Sequence, residues 1–331
     1  MSLRLVVVAG ALVFVLRGVA WAQVGKTLRG ASLPLLVAVV AVNACMMTLK
    51  AVRLQLLLTS TASLKACLLA KVTASAINNV VPFRGGDLAR LWMLERHARI
   101  PKAAAVAVGV VEALFELLAL AAISLAGASM IPGQRWAIHV TPALLGASVI
   151  LIAALKYLNG RSMARPAAAR GPFDLSGRLR ALAERLRAGT SGLRQPGTVA
   201  VVLILSFCVW GLEIAMVVLA ARSVHLALSP ALAAVVLLGI NLALALPSMP
   251  AGAGTFEGGT LLVLMLSGVA KEAGLAFALL YHLVQVVPVT LVGMAVISKA
   301  GMRLDRLPIP RLEAQRPRSS GPAPQARRVP G

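Results

Sequence analysis

Long stretches without charge constrain this chain more than anything else in it. Apolar segments at 5–22, 33–49, 66–82, 103–127, 136–155, 198–220, 229–247, 256–269 and 275–298 follow one another along the 331 residues. A helix needs about 20 apolar residues to cross the hydrocarbon core of a bilayer, and several of these segments approach that length. Hydrophobic residues make up 59% of the chain and charged ones only 13%, where soluble domains carry about 25% charge. An ordinary soluble domain is excluded. The pattern predicts an all-α polytopic membrane protein.

A net charge of +22 raises nucleic acid as a partner, but placement argues against it. Lys and Arg avoid the apolar segments and crowd into a few connections, as in a chain that orients itself by keeping cationic loops cytoplasmic. Cys45, Cys67 and Cys208 all fall in apolar segments and read as small buried hydrophobes, with no disulfide framework and no metal spacing. His97, His139, His225 and His282 form no ligand motif, so neither metal nor cofactor is expected. The N-terminus imitates a signal peptide, with Arg4, an apolar stretch and A20-W-A22. Arg17 interrupts it before the cleavage position, so 5–22 reads as a retained first helix.

Two segments are poor spans. Segment 66–82 contains Lys71, Thr73, Ser75, Asn78 and Asn79 and breaks at Pro82. Segment 256–269 is short and starts with Glu257, just after the Pro/Gly-rich PSMPAGAG of 247–254. If 66–82 and 229–269 are re-entrant hairpins from opposite faces, six full spans remain. Both termini are then cytoplasmic, together with the connections 50–65 and 83–102 and the insertion 156–197. Nine full spans would give a similar charge bias with the N-terminus outside; the weak span character of the two segments favours the hairpins. The domain organisation is then a transmembrane region over 1–298, interrupted by the basic cytoplasmic insertion 156–197. A basic, Pro-rich tail over 299–331 has little to bury and is expected to be disordered and cytoplasmic. Within the insertion, L179-R-A-L-A-E-R-L-R187 has the spacing of an amphipathic helix, lying on an anionic leaflet or in solvent.

The two broken segments resemble each other. N79-V-V-P-F-R-G-G-D87 and N241-L-A-L-A-L-P-S-M-P-A-G-A-G-T-F-E257 each run Asn, Pro, two close glycines, then an acid. Each half of the chain thus holds two spans, a hairpin and a third span, in opposite orientations. Inverted repeats of this kind place a substrate site at the broken helices. Non-helical backbone cannot face lipid, so each break must line a cavity or be buried in protein. Glycines let backbone approach a ligand, and half-helix N-termini offer N–H groups to an anion.

These two motifs resemble those of the flippase-like integral membrane family, which comprises the transmembrane region of lysylphosphatidylglycerol synthases and related uncharacterised membrane proteins. The likeness extends over residues 5–298. It implies movement of a lipid between leaflets, and a separate soluble domain would be needed for aminoacyl transfer. The chain departs from the family pattern at Ala251 and Ala253, which flank Gly252, and at Tyr281-His282, where many members have Tyr-Arg. The backbone shape is expected to survive the first departure. The second replaces the usual cation with an imidazole expected to be neutral.

Candidate headgroup-binding residues are Asn79, Arg84, Gly85, Gly86, Asp87, Arg90, Asn241, Gly252, Gly254 and Glu257. Arg84 beside two glycines combines a guanidinium with backbone donors, which suits phosphate; anchoring in the cytoplasm is the other use for Arg84 and Arg90. Asp87 pairs with either Arg or caps the following helix. Asn79 and Asn241 bind a headgroup or satisfy freed backbone. Pro82, Pro247 and Pro250 shape the cavity. Glu257 opens a half-helix whose dipole favours its charge, or it binds a proton or a cationic amine. Glu112, Glu116 and Glu213 lie inside apolar segments, where a charge costs about 2.5–3.5 kcal/mol. They are expected to pair with Arg17, Lys71 or another buried cation, or to relay protons, with His282 a further member of that buried set.

No nucleophile or metal-ligand spacing accompanies the carboxylates, so an enzyme is not expected. The function expected is a bacterial inner-membrane lipid translocase moving a phosphate-containing lipid or lipid-linked intermediate. The alternative is an accessory subunit or enzyme of lipid-linked glycan or hopanoid-type lipid synthesis. Expected partners are membrane lipids and a cytoplasmic lipid-modifying enzyme or glycosyltransferase docked on 156–197.

Overall fold

The computed structural model describes residues 19–58, 62–81, 85–131, 133–160, 195–245 and 250–299. The described residues are helical with no strand. The helices are α1 (Trp21–Arg29), α2 (Leu33–Leu57), α3 (Leu64–Val80), α4 (Gly85–Ala98) and α5 (Lys102–Ser129), then α6 (Arg135–Gly160), α7 (Pro196–Ser223), α8 (Pro230–Leu244), α9 (Thr255–Leu266) and α10 (Lys271–Lys299). Five of them, α2, α5, α6, α7 and α10, are long and apolar enough to cross a membrane. They match five of the six full spans expected from sequence. The chain is a multi-pass membrane protein. Arg17 and most of the first expected span lie outside the described residues, as do nearly all of the 156–197 insertion and the tail.

Length explains why the other helices come in pairs. The 17 residues of α3 and 15 of α8 rise about 26 and 22 Å at 1.5 Å per residue, short of a core about 30 Å thick. Each instead folds back against its successor, α3 on α4 and α8 on α9. Serine caps start both first arms. Ser63 Oγ accepts from the Ala66 amide, and Ser229 Oγ from the Leu232 amide with Pro230 in the first turn. Small residues bring the arms together. A Cβ on Gly86 would overlap the Ala74 carbonyl, and one on Gly259 would lie 2.8 Å from the Gly239 oxygen.

The packing of the long helices is reciprocal. The first arm α3 lies on α10, with Gly293 against Ala76, while the first arm α8 lies on α5, with Gly127 against Ala231 and Ala234. Helices α2 and α7 cross antiparallel. The Ser32 amide donates to the Ser223 carbonyl at one end, and Arg53 reaches Ser206 further along. Apolar side chains such as Ile150, Leu262 and Leu291 point outward, as lipid requires.

Three sequence expectations need correction. The span expected over 33–49 continues to Leu57, so Lys50 and Arg53 sit within a membrane helix and not in a cytoplasmic connection. Their flanking leucines and valines keep the helix apolar enough to continue. The connection expected over 83–102 is largely α4, packed on α3, which places Arg90 inside the protein. Finally, only Cys67 is buried; Cys45 and Cys208 lie exposed on α2 and α7, where lipid tolerates a thiol as readily as a protein core does.

Candidate functional site

Charged side chains from four helices, α2, α3, α4 and α5, meet inside this apolar bundle. Glu112, on α5 and 3% exposed, is their centre. Its Oε2 accepts from Lys71 Nζ at 2.9 Å and from Arg90 Nη1 at 3.0 Å. Arg53 Nε faces its Oε1 at 3.7 Å. One turn along, Glu116 is ion-paired with Arg53, whose other guanidinium nitrogen donates to Ser206 Oγ at 3.0 Å. The Trp210 indole donates to the Glu116 carbonyl at 2.9 Å. Isolated charges here would be expelled; together they offset one another, although Arg53 Nε, Arg90 Nε and Glu112 Oε1 are buried without a hydrogen-bond partner among the described residues.

The cluster forms one wall of a cavity of about 570 Å³ between α2, α5 and the α3–α4 hairpin. Lys50, Lys71, Asn78, Asp87, Arg90, Glu112 and Glu116 line it. So do Val106 and Val110, which are 45% and 41% exposed, so a polar interior meets the lipid-facing surface through apolar side chains. Arg90 lies flat on α5 because Gly109 has no side chain: a Cβ there would collide with the guanidinium.

A second cavity of about 170 Å³ lies beside the α8–α9 hairpin, lined by Trp210, Glu213, Asn241, Phe256, Tyr281 and Gln285 among others. Glu213 accepts from the Tyr281 hydroxyl at 3.2 Å and the Gln285 amide at 3.1 Å. Lys50 reaches it from α2 at 3.5 Å. Lys50 and Glu116 line both cavities.

The expected site residues divide into three groups. Arg17, Arg84, Pro82 and Pro247 lie outside the described residues. Lys71, Asp87, Arg90, Glu112 and Glu116 face the larger cavity, while Glu213 and Asn241 face the smaller one, Asn241 donating also to the Leu237 carbonyl of its own helix. The rest are structural. Asn79 donates to Thr290 Oγ1 on α10. Gly85 and Gly86 open α4 and are buried. Pro250 starts a short 3-10 turn, and Gly252 and Gly254 hold φ of 79° and 83°, which glycine adopts without strain.

The second break is stapled from α10. Glu257 accepts from the Gly254 amide at 2.7 Å, the backward half of a capping box, since Gly254 has no side chain to return the bond, and its Oε1 lies 2.6 Å from His282 Nδ1. His282 Nε2 lies 3.0 Å from the Ala251 carbonyl. With one ring nitrogen on the Glu257 carboxylate and the other on the Ala251 carbonyl, His282 pins both sides of the turn. Ala251 holds φ of 58°, so the backbone shape survives there in a conformation that glycine would adopt more readily.

Sequence reasoning missed Lys50, Arg53 and Asn78 as site residues. The apolar pattern A51-V52 and L54, resumed at L56-L57-L58, continues the helix past both cations. That pattern was the available signal. Asn78 had none: its Oδ1 accepts from the Gly86 amide at 2.8 Å, a contact across a break that spacing does not specify.

The profile of the lysylphosphatidylglycerol synthase TM region matches residues 1–293. No curated protein matches the chain.

Proposed function

Because the chain belongs to the family of the lysylphosphatidylglycerol synthase TM region, we propose that it is a translocase moving a phosphate-bearing lipid between leaflets. The observation that carries this reading is the larger cavity, where Lys50, Lys71 and Arg90 face a space that reaches the surface beside Val106 and Val110. A headgroup enters the polar interior while its tails stay in the bilayer. Glu112 lies ten residues into the 28-residue α5, about 15 Å from its start at 1.5 Å per residue, a depth suited to a site reached alternately from both sides.

The motion is supplied by two halves built as inverted copies, each of two spans, a hairpin and a further span. The antiparallel crossing of α2 and α7 and the reciprocal seating of α3 on α10 and α8 on α5 support this. The membrane is the bacterial inner membrane, with both termini in the cytoplasm, supported by the Lys and Arg content of the connections on that side. Leaflet exchange of labelled lipids in proteoliposomes tests the reading, across a panel of phospholipids and polyprenyl phosphates. The protein accelerates exchange of at least one phosphate-bearing lipid, and Arg90→Ala slows it. Exchange at the protein-free rate across the panel would overturn the proposal.

A further inference from the structure

We infer that Lys50 is the side chain that takes the phosphate, and that its departure from Glu213 loosens the crossing between α2 and α7. This rests on the translocase reading above.

Among the basic side chains of the site, Lys50 is the least engaged. Lys71 and Arg90 share the buried Oε2 of Glu112 at 2.9 and 3.0 Å, and Arg53 is fully buried between Glu112, Glu116 and Ser206. Moving Arg53 to a ligand strips Glu116 of its ion pair, and moving Lys71 or Arg90 removes one of the two hydrogen bonds on the buried Glu112 Oε2. Lys50 has three donors and one acceptor, Glu213, at the long distance of 3.5 Å. Its side chain is also the most exposed of the four at 21%.

Its partner keeps two neutral hydrogen-bond donors without it. With Lys50 gone, Glu213 still accepts from Tyr281 and Gln285. Lys50 sits where the two cavities meet and lines both, so its four-carbon stem swings from one to the other without a change of backbone. A phosphate in the larger cavity draws the ammonium away from Glu213 by forming a charge-assisted hydrogen bond with it. The pair that breaks joins α2 to α7, which pack antiparallel on each other. Binding and loosening become one event. The ligand class is a phosphate mono- or diester on a lipid.

The test uses full-length protein in vesicles of digalactosyldiacylglycerol, which has no phosphate, with fluorescent phosphatidylglycerol as tracer and fluorescent glucosylceramide as the phosphate-free control. Lys50→Gln raises the phosphatidylglycerol fraction giving half-maximal exchange by about tenfold, the loss expected for one hydrogen bond to a charged group. Lys50→Arg restores most of it. Glu213→Gln, which frees Lys50, lowers that fraction, and the double variant behaves like Lys50→Gln. Monodisperse elution of each variant checks folding. If the pair were only a strut, both single variants would slow exchange alike with the half-maximal fraction unchanged, and the proposal would fall. Equal wild-type exchange of glucosylceramide and phosphatidylglycerol would overturn phosphate recognition but leave translocation standing. Exchange of neither would overturn the translocase reading itself, and this inference with it.

Discussion

The two hairpins share a sequence pattern and use it differently. In α3–α4 the charges face outward into a cavity: Lys71, Asp87 and Arg90 all line it, and the break is held by a neutral amide, Asn78 to Gly86. In α8–α9 the acid is turned inward on its own backbone. Glu257 caps α9 and meets His282, which in turn holds the Ala251 carbonyl, and the stacked ring of Phe256 covers the imidazole at 4.3 Å. One hairpin presents its charges to a cavity and the other clamps its own turn. An acid after a Pro/Gly break says where a half-helix begins; whether it serves a ligand or the fold depends on what a distant helix places opposite it.

The largest effect is expected at Arg53, the buried cation between Glu112 and Glu116. Arg53→Gln leaves Glu112 and Glu116 short of charge and should destabilise the protein by about 3–5 kcal/mol, measured by chemical unfolding in detergent micelles. Next come the glycines that seat the arms. Gly86→Ala forces a methyl onto the Ala74 carbonyl, whereas at Gly259 the nearest atoms are the Ala243 methyl at 2.7 Å and the Gly239 oxygen at 2.8 Å. A cost of about 3 kcal/mol for the first and about 1 for the second is expected from the overpacking range; equal costs would mean the hairpins are closed alike. Glu257→Gln keeps a cap acceptor but weakens the link to His282, for about 1.5 kcal/mol, and should raise amide hydrogen exchange at the start of α9 while leaving α4 unchanged. Asn78→Ala removes one bond across the first break, about 1 kcal/mol, with the opposite exchange pattern.

Much of the fold was legible because lipid allows so few solutions. Apolar length identified the long helices, and the polar residues of 66–82 with the shortness of 256–269 marked the hairpins. The site was legible only in part. Lys71, Glu112, Glu116 and Glu213 stood out because a charge in an apolar segment demands a partner, and the structure gives each one. Lys50 and Arg53 did not stand out: they lie at the end of a segment, where a cation is normally the sign of a boundary. Helix α2 runs two more turns beyond Lys50 before it stops, and only the residues opposite, Glu116 and Ser206 on α5 and α7, show why. The clamp of His282 on the second break was hidden for a similar reason, since it depends on a carbonyl 31 residues away in sequence.

The outward-facing thiols of α2 and α7 have a use of their own. Cys45 and Cys208 sit one on each of the crossed helices, while Cys67 is shielded. Spin labels attached to the native chain would therefore report the spacing of that crossing directly, as a ruler needing no engineered position.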